Sequence, residues 1–315
     1  MLKQGCATVR REFVLFILLS AVLLPAQTTS QAGSGINIRV NTTLVLIPVT
    51  VTDSLNRFVL GLDKQDFRVF EDGAEQKVKQ FAGEDAPLSI GLLVDTSGSM
   101  GSKIETSRQA VAQFLKTMNP QDEAFLVEFG DRAEVATGFT EHADEIQSKL
   151  TSIEPQGLTA LLDGVYMGLR EMKRAKNPRK ALLIISDGGD NNSRYTAHQI
   201  ENLVREADVQ IYAMGVFEPL SYLGISRAEL SGPHLLSQLS EQTGGRAFAA
   251  TNDSALPGIA TRIGIELRNQ YVLAYSPTNQ NRDGKYRKVD VKLDQPQGLP
   301  SLKSRWRLGY YAPNQ

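Results

Sequence analysis

The stretch Leu92-Leu93-Val94-Asp95-Thr96-Ser97-Gly98-Ser99-Met100 decides how this chain is organised. The apolar run Ile90 to Val94 before it has the length and character of a buried strand. A helical pattern starts from about Lys103, with Ile104, Ala110, Val111, Phe114, Leu115 and Met118 close to helical spacing. Between strand and helix, Asp95, Ser97 and Ser99 alternate with Thr96 and Gly98. Ligand sites in open parallel sheets lie just beyond the carboxyl ends of the strands. One carboxylate and two hydroxyls gathered there are hard oxygen donors, suited to Mg²⁺, Mn²⁺ or Ca²⁺.

This Asp-x-Ser-x-Ser pattern resembles the metal-ion-dependent adhesion site of von Willebrand factor type A domains. Two further elements fit that resemblance. Gly157-Leu158-Thr159-Ala160 precedes a helix containing Asp163-Gly164, so Thr159 would offer a third hydroxyl. Ser186-Asp187-Gly188 ends a second apolar strand, so Asp187 would be the second carboxylate, acting through water. The resemblance implies a divalent metal, Mg²⁺ foremost and Mn²⁺ or Ca²⁺ as alternatives, held by Asp95, Ser97, Ser99, Thr159 and Asp187. It also implies that a carboxylate from a protein or peptide partner completes the coordination. The competing explanation is local: Ser99 or Ser102 and Thr159 would cap helices, and Asp187-Gly188 would be only a turn. The joint occurrence of all three elements at strand ends and helix starts favours the metal.

Around this motif strands and helices alternate. Strands are expected at Leu88–Val94, Ala124–Phe129, Lys180–Ser186, Val209–Val216 and, at an edge, Arg246–Ala249, with Ala133–Thr137 paired to its predecessor across Gly130-Asp131. Helices are expected at 103–118, 141–150, 159–175, 196–207, 235–243 and 254–269, and Phe217–Gly232 is expected to be a loop. Such alternation implies right-handed crossovers and an α/β, doubly wound, mainly parallel sheet with helices on both faces. The resemblance to a von Willebrand factor type A domain spans about residues 86–269.

The flanks have a different period. Ile38, Val40 and Thr42 alternate with polar residues. Leu44 to Val51 is a β-branched run that Pro48 should break. Asp72-Gly73 and Asp283-Gly284 are hairpin signals. Tyr271–Tyr275, Tyr286–Leu293 and Lys303–Tyr311 are candidate strands. Small isolated sheets are marginal, so residues 36–85 and 270–315 are expected to pack together as a β-rich, sandwich-like domain into which the α/β domain is inserted. Val49-Thr50-Val51-Thr52-Asp53, Glu71-Asp72-Gly73, Leu267-Arg268-Asn269-Gln270-Tyr271 and Arg307-Leu308-Gly309-Tyr310-Tyr311 resemble bacterial secreted proteins known as von Willebrand factor A-related domain proteins.

Of the 315 residues, 41% are hydrophobic and 22% charged, with a net charge of −1. That balance gives no electrostatic case for nucleic acid or an anionic membrane surface. Cys6 is the sole cysteine, which excludes an internal disulfide and any cysteine-based metal site. Lys3, Arg10 and Arg11, the apolar run Phe13–Pro25 and Ser30-Gln31-Ala32 read as a secretory signal peptide over residues 1–32. The apolar run falls short of the ~20 residues of a spanning helix, so a secreted or periplasmic location is expected, with membrane association only if the segment stays uncleaved.

The expected function is therefore a non-enzymatic, extracytoplasmic binding module. The alternatives are a scaffold with a stabilising metal, or a Mg-dependent phosphoryl-transfer enzyme. Against the latter, the chain lacks G-x-x-x-x-G-K-[ST] and G-x-S-x-G. Asp190, Asn191 and Asn192 have two open readings, as a rim that shapes ligand choice and as a solvated loop. Lys173, Arg174, Lys176, Arg179 and Lys180 are read as cations at a helix C-terminus.

Overall fold

Val45, Ile47, Val49 and Val51 put apolar side chains on one face, and the segment forms strand β1 (Val45–Thr52) in the computed structural model. The structure describes residues 44–314 apart from 84–85, 217–226, 251, 295, 297 and 299. The expected signal segment, the alternation at Ile38–Thr42 and Phe217–Ser226 of the expected loop lie outside the described residues. After β1 come β2 (Phe67–Glu71), β3 (Ala74–Gln76), β4 (Val78–Ala82) and β5 (Leu88–Asp95). Then follow α1 (Ile104–Leu115), β6 (Glu123–Phe129), β7 (Ala133–Thr140), α2 (Ala143–Thr151), α3 (Leu161–Met172) and β8 (Arg179–Ser186). The chain continues through α4 (Ala197–Glu206), β9 (Gln210–Val216), α5 (Arg227–Glu241), β10 (Ala247–Ala250) and α6 (Leu256–Arg268). It closes with β11 (Gln270–Tyr275), β12 (Tyr286–Leu293), β13 (Lys303–Trp306) and β14 (Gly309–Tyr311).

The central sheet has the order β10-β9-β8-β5-β6-β7, parallel except for β7, which pairs antiparallel with β6. It is an α/β, doubly wound sheet. Leu88, Ile90, Leu92 and Val94 pack with α1, α2 and α6 on one face. Leu93, Phe125, Val127, Leu182 and Ile184 pack with α3, α4 and α5 on the other. β5 is buried along its whole length, as a central parallel strand must be. The strand order reverses between β5 and β8, and this switch point is where Asp95 and Asp187 emerge.

The flanks interleave. One sheet runs β13-β1-β11-β4 and the other β14-β12-β2-β3, so each takes strands from both ends of the chain. Their facing side chains, among them Ile47, Val49, Phe67, Val69, Leu273, Tyr275, Val289 and Val291, share one core. The hydroxyls of Tyr275 and Tyr310 both donate to Glu71 Oε2 at 2.8 Å. Asp72-Gly73 makes the expected hairpin between β2 and β3, with both residues at positive φ.

Several expectations are corrected. Pro48 does not break β1, because pairing with β13 begins only at Val49 and at Pro48 the strand has a partner on one side alone. Asp283-Gly284 joins strands of different sheets and is not a hairpin turn. Asp283 instead bridges to Asn314. Lys303–Tyr311 is two strands in two sheets. Arg307, buried at the corner, donates to the Gly309 carbonyl at 2.6 Å and pairs with Asp208 at 2.7 Å. Finally, α5 already starts at Arg227 and carries Pro233 inside it, so the Ser231-Gly232-Pro233 punctuation does not mark a loop. Of the basic run, Lys173, Arg174 and Lys176 are exposed just past the end of α3, as expected, whereas Arg179 is buried and donates to the Ala86 and Leu267 carbonyls.

Candidate metal centre

Three loops meet at the switch point. Asp95 ends β5 with its side chain fully buried, and its Oδ1 accepts from the Ser97 N–H at 2.9 Å. Its Oδ2 accepts from the Ser186 hydroxyl at 2.5 Å, and Ser186 Oγ in turn accepts from the Gly188 N–H at 2.9 Å. Asp95 is thus fixed both by its own loop and by the end of β8. The hydroxyls of Ser97 and Ser99 lie 3.0 Å apart, Ser97 buried and Ser99 exposed. Asp187 is mostly buried, and its Oδ1 accepts from the Gly189 N–H at 3.2 Å.

The Thr159 loop is zipped to the Asp95 loop by backbone bonds: Gln156 N–H to the Thr96 carbonyl at 2.8 Å and Gly98 N–H to the Gly157 carbonyl at 3.0 Å. Gly98 fits because a Cβ there would stand 3.3 Å from the Gly157 oxygen. Gly157, at φ +77°, turns over the Asp131 carboxylate. Asp131 Oδ1 holds the Leu158 N–H at 2.7 Å. From the other side, Asn191 Oδ1 accepts the Thr159 N–H at 2.9 Å, while the Asn191 and Asn192 N–H groups both donate to the Thr159 carbonyl at 3.0 Å. Asp190 accepts from the Leu162 N–H and the Ser193 hydroxyl, and Asp163 from Arg194 and Tyr195. Of the two readings of Asp190-Asn191-Asn192, neither describes this role: the loop clamps the start of α3.

The hydroxyls are not used as helix caps. The residue flanking the start of α1 is Lys103 and that of α3 is Ala160, and the first-turn N–H groups of α3 are taken by Asp190 and Ser193, not by Thr159. The short 3₁₀ turn at Gly98–Met100 is likewise uncapped by Ser97. The capping explanation therefore loses its support, whereas Asp187-Gly188 does form a turn, with Gly188 at φ +80° and the Gly189 N–H donated to Asp187 Oδ1.

The electrostatics suit a cation. Burial pushes the Asp95 carboxyl up to about 6, the Asp187 charge adds to this, and hydrogen bonds from Ser186 and Ser97 pull the other way. Among the described residues no three carboxylates, imidazoles or thiols gather into a metal-binding group. The donor set is two carboxylates and neutral hydroxyls, hard oxygens that fit Mg²⁺ or Mn²⁺ with water in the remaining positions. Lys103, which sequence patterning did not single out for this site, places its Nζ 3.9 Å from Asp187 Oδ2 with both side chains nearly buried. The available signal was its position at the start of α1, since helical side chains lean toward the N-terminus and so back over the strand ends. A cleft lies between α3 and α4, lined by Tyr166, Leu169, Lys173, Leu203 and Glu206.

With this geometry in place, similarity to known proteins becomes informative. Residues 90–189 match the family model of the von Willebrand factor type A domain. Over 190 residues the chain is 25% identical to an uncharacterized protein of Borreliella burgdorferi, covering 53% of this chain and 55% of that protein. Over 173 residues it is 24% identical to inter-alpha-trypsin inhibitor heavy chain H4 of Bos taurus, covering 50% of this chain and 19% of that one. The chain thus spans about half the length of the first relative and about a fifth of the second. Proximal thread matrix protein 1 from the mussel byssus, solved with a zinc-occupied MIDAS motif, aligns with a TM-score of 0.48 and 18% identity over 62% of this chain and 49% of that one.

Proposed function

We propose that this chain, a member of the von Willebrand factor type A domain proteins, is a non-enzymatic module that captures a carboxylate-bearing protein or peptide through a divalent cation. What supports this most is that the loops carrying Asp95, Ser97, Ser99, Thr159 and Asp187 are bonded to one another at the switch-point edge, with Ser97, Ser99 and Thr159 capping no helix. Asp95, Ser97 and Ser99 hold one side of the site, and Thr159 the facing side. Asp187 stands behind, holding water in place. The cation, Mg²⁺ foremost, supplies a Lewis-acidic point to which an Asp or Glu side chain of the partner binds.

The residues around these ligands set orientation. Ser186 fixes Asp95 in its buried pose, Asn191 and Asp131 fix the Thr159 loop, and Lys103 faces Asp187. The signal-like sequence of residues 1–32 supports an extracytoplasmic setting for this activity. Among the described residues no helix is long and apolar enough to cross a membrane.

The test is binding of the purified chain to an immobilised peptide library whose members differ pairwise by Glu against Gln. Capture confined to the Glu members, present with Mg²⁺ and lost in EDTA, is the expected result. Equal capture in EDTA would remove the cation from the mechanism.

A further inference from the structure

We infer that Lys103 is a specificity-determining residue of this site: its buried ammonium beside Asp187 makes cation binding and carboxylate binding depend on one another. The inference rests on the metal-dependent capture proposed above. Lys103 flanks the start of α1, its N–H donates to the Met100 carbonyl, and its own carbonyl accepts from the Ser107 N–H and hydroxyl. The backbone of this residue is therefore pinned at the site. The side chains of Lys103 and Asp187 are 6% and 9% exposed, and their charged ends stand 3.9 Å apart. A long ammonium side chain ordinarily reaches for water, and one held inside needs a charged partner.

The charges then decide the chemistry. Among the described residues, Asp95 and Asp187 bring negative charge to this edge and Lys103 brings a positive charge beside it. That positive charge opposes a divalent cation and favours a carboxylate that joins it. Unbalanced charge is costly where water is scarce. Lys103 therefore weakens the hold on a cation by itself and strengthens the hold of the loaded site on an anion. By reciprocity, cation and anion raise one another's affinity by the same factor. A neutral ligand group, such as an amide or hydroxyl, gains nothing from this charge. The partner class is thus a carboxylate, from an Asp or Glu side chain or a chain terminus.

A merely structural Lys103, holding Asp187 in place, gives a different pattern: its removal weakens both affinities together. The two roles are separable with Lys103→Met and Lys103→Gln in the full chain. Mn²⁺ affinity is measured by calorimetry in chloride buffer. Acetate affinity for the Mn²⁺-saturated protein is measured by paramagnetic broadening of the acetate methyl resonance. Circular dichroism melts identify which variants are folded, and either folded variant suffices. The expected result has opposite signs: Mn²⁺ binds at least about tenfold more tightly, as removal of one nearby like charge predicts, and acetate binds more weakly. Unchanged or weakened Mn²⁺ binding in folded variants of a wild type that does bind Mn²⁺ overturns the role of Lys103 and leaves the metal site standing. A wild type that binds no Mn²⁺ overturns the metal site, and this inference with it.

Discussion

Two buried charge clusters can be set side by side. At the switch-point edge, Asp187 faces the ammonium of Lys103, and the buried carboxylate of Asp95 is held by the Ser97 N–H and the Ser186 hydroxyl. At the junction between the α/β domain and the sandwich, one carboxylate, Glu266 on α6, lies between two guanidiniums. Arg305 stands 3.6 Å and Arg246 3.9 Å from it. Glu266 also accepts from the Tyr212 hydroxyl at 3.2 Å, and Gln270 donates to both Tyr212 and Thr50 across the junction. The junction carries its own surplus of cation and belongs to the architecture. Among the described residues the edge carries two buried carboxylates to one ammonium, with the Ser97 and Ser99 hydroxyls beside them, the balance that a site for an external cation requires. Burial of charge alone does not separate structure from function, but the sign of the local imbalance does.

The contrast is most exposed to failure at Glu266. Glu266→Ala strands two partly buried guanidiniums and is expected to cost about 2–3 kcal/mol, discounted from the fully buried case because both arginines retain some exposure. Urea unfolding measures this, and Mn²⁺ affinity should not move. A loss below about 0.5 kcal/mol, the size of an ordinary surface change, would dissolve the distinction between the clusters.

Asp95 should behave in the opposite way. Its folded carboxyl titrates near 6, above its unfolded value, because burial disfavours the charged form. Below about pH 4 both states hold the proton and there is no penalty. From about 4 to 6 the unfolded chain releases the proton that the folded chain keeps, so stability falls, and above 6 the penalty is constant. Metal-free Asp95→Asn is therefore expected to be more stable than wild type at pH 7 by about 1–2 kcal/mol, with part of the desolvation gain offset by lost hydrogen bonds. A pH series of urea melts in EDTA checks the sign. Wild type growing more stable from pH 4 to 6 relative to the variant would contradict it.

Two smaller changes sharpen the picture of the edge. Gly157→Ala forces a left-handed position and pushes a Cβ to within 2.4 Å of the Asp131 carboxylate. A cost of about 1 kcal/mol is expected, with weakened Mn²⁺ binding as the Thr159 loop shifts. Asn191→Ala removes one bond to the Thr159 N–H, worth about 0.5–1 kcal/mol, and should weaken Mn²⁺ binding by a few-fold. Asn192→Ala keeps that bond and removes instead the amide donated to the Asp131 carbonyl at 2.8 Å, so it should cost similar stability and move Mn²⁺ binding less.

The parts of this molecule legible in its sequence are those written in local patterns. The apolar run before Asp95, the period of α1 and the Asp72-Gly73 turn each declare themselves within a few residues, and the doubly wound sheet follows from their order. The interleaved sandwich followed from a stability consideration, since neither flank could cover its own core. What escaped depends on partners distant in sequence. Pro48 is tolerated because of where β13 ends, Arg307 turns a corner because of Asp208, and the Asp283-Gly284 turn joins two sheets because of Asn314. At the site, Asp95, Ser97 and Ser99 were visible as a spacing, whereas Ser186, Asn191 and Lys103 act across gaps in the chain that no spacing reveals.

The most direct measurement is calorimetric titration of Mg²⁺ and Mn²⁺ into the purified chain beside Asp95→Ala, with melts confirming that both are folded. Saturable binding at one site per chain, lost in Asp95→Ala while the fold persists, is the predicted result. Binding that survives in Asp95→Ala, or a wild type that binds neither ion, would contradict a cation centre at the end of β5.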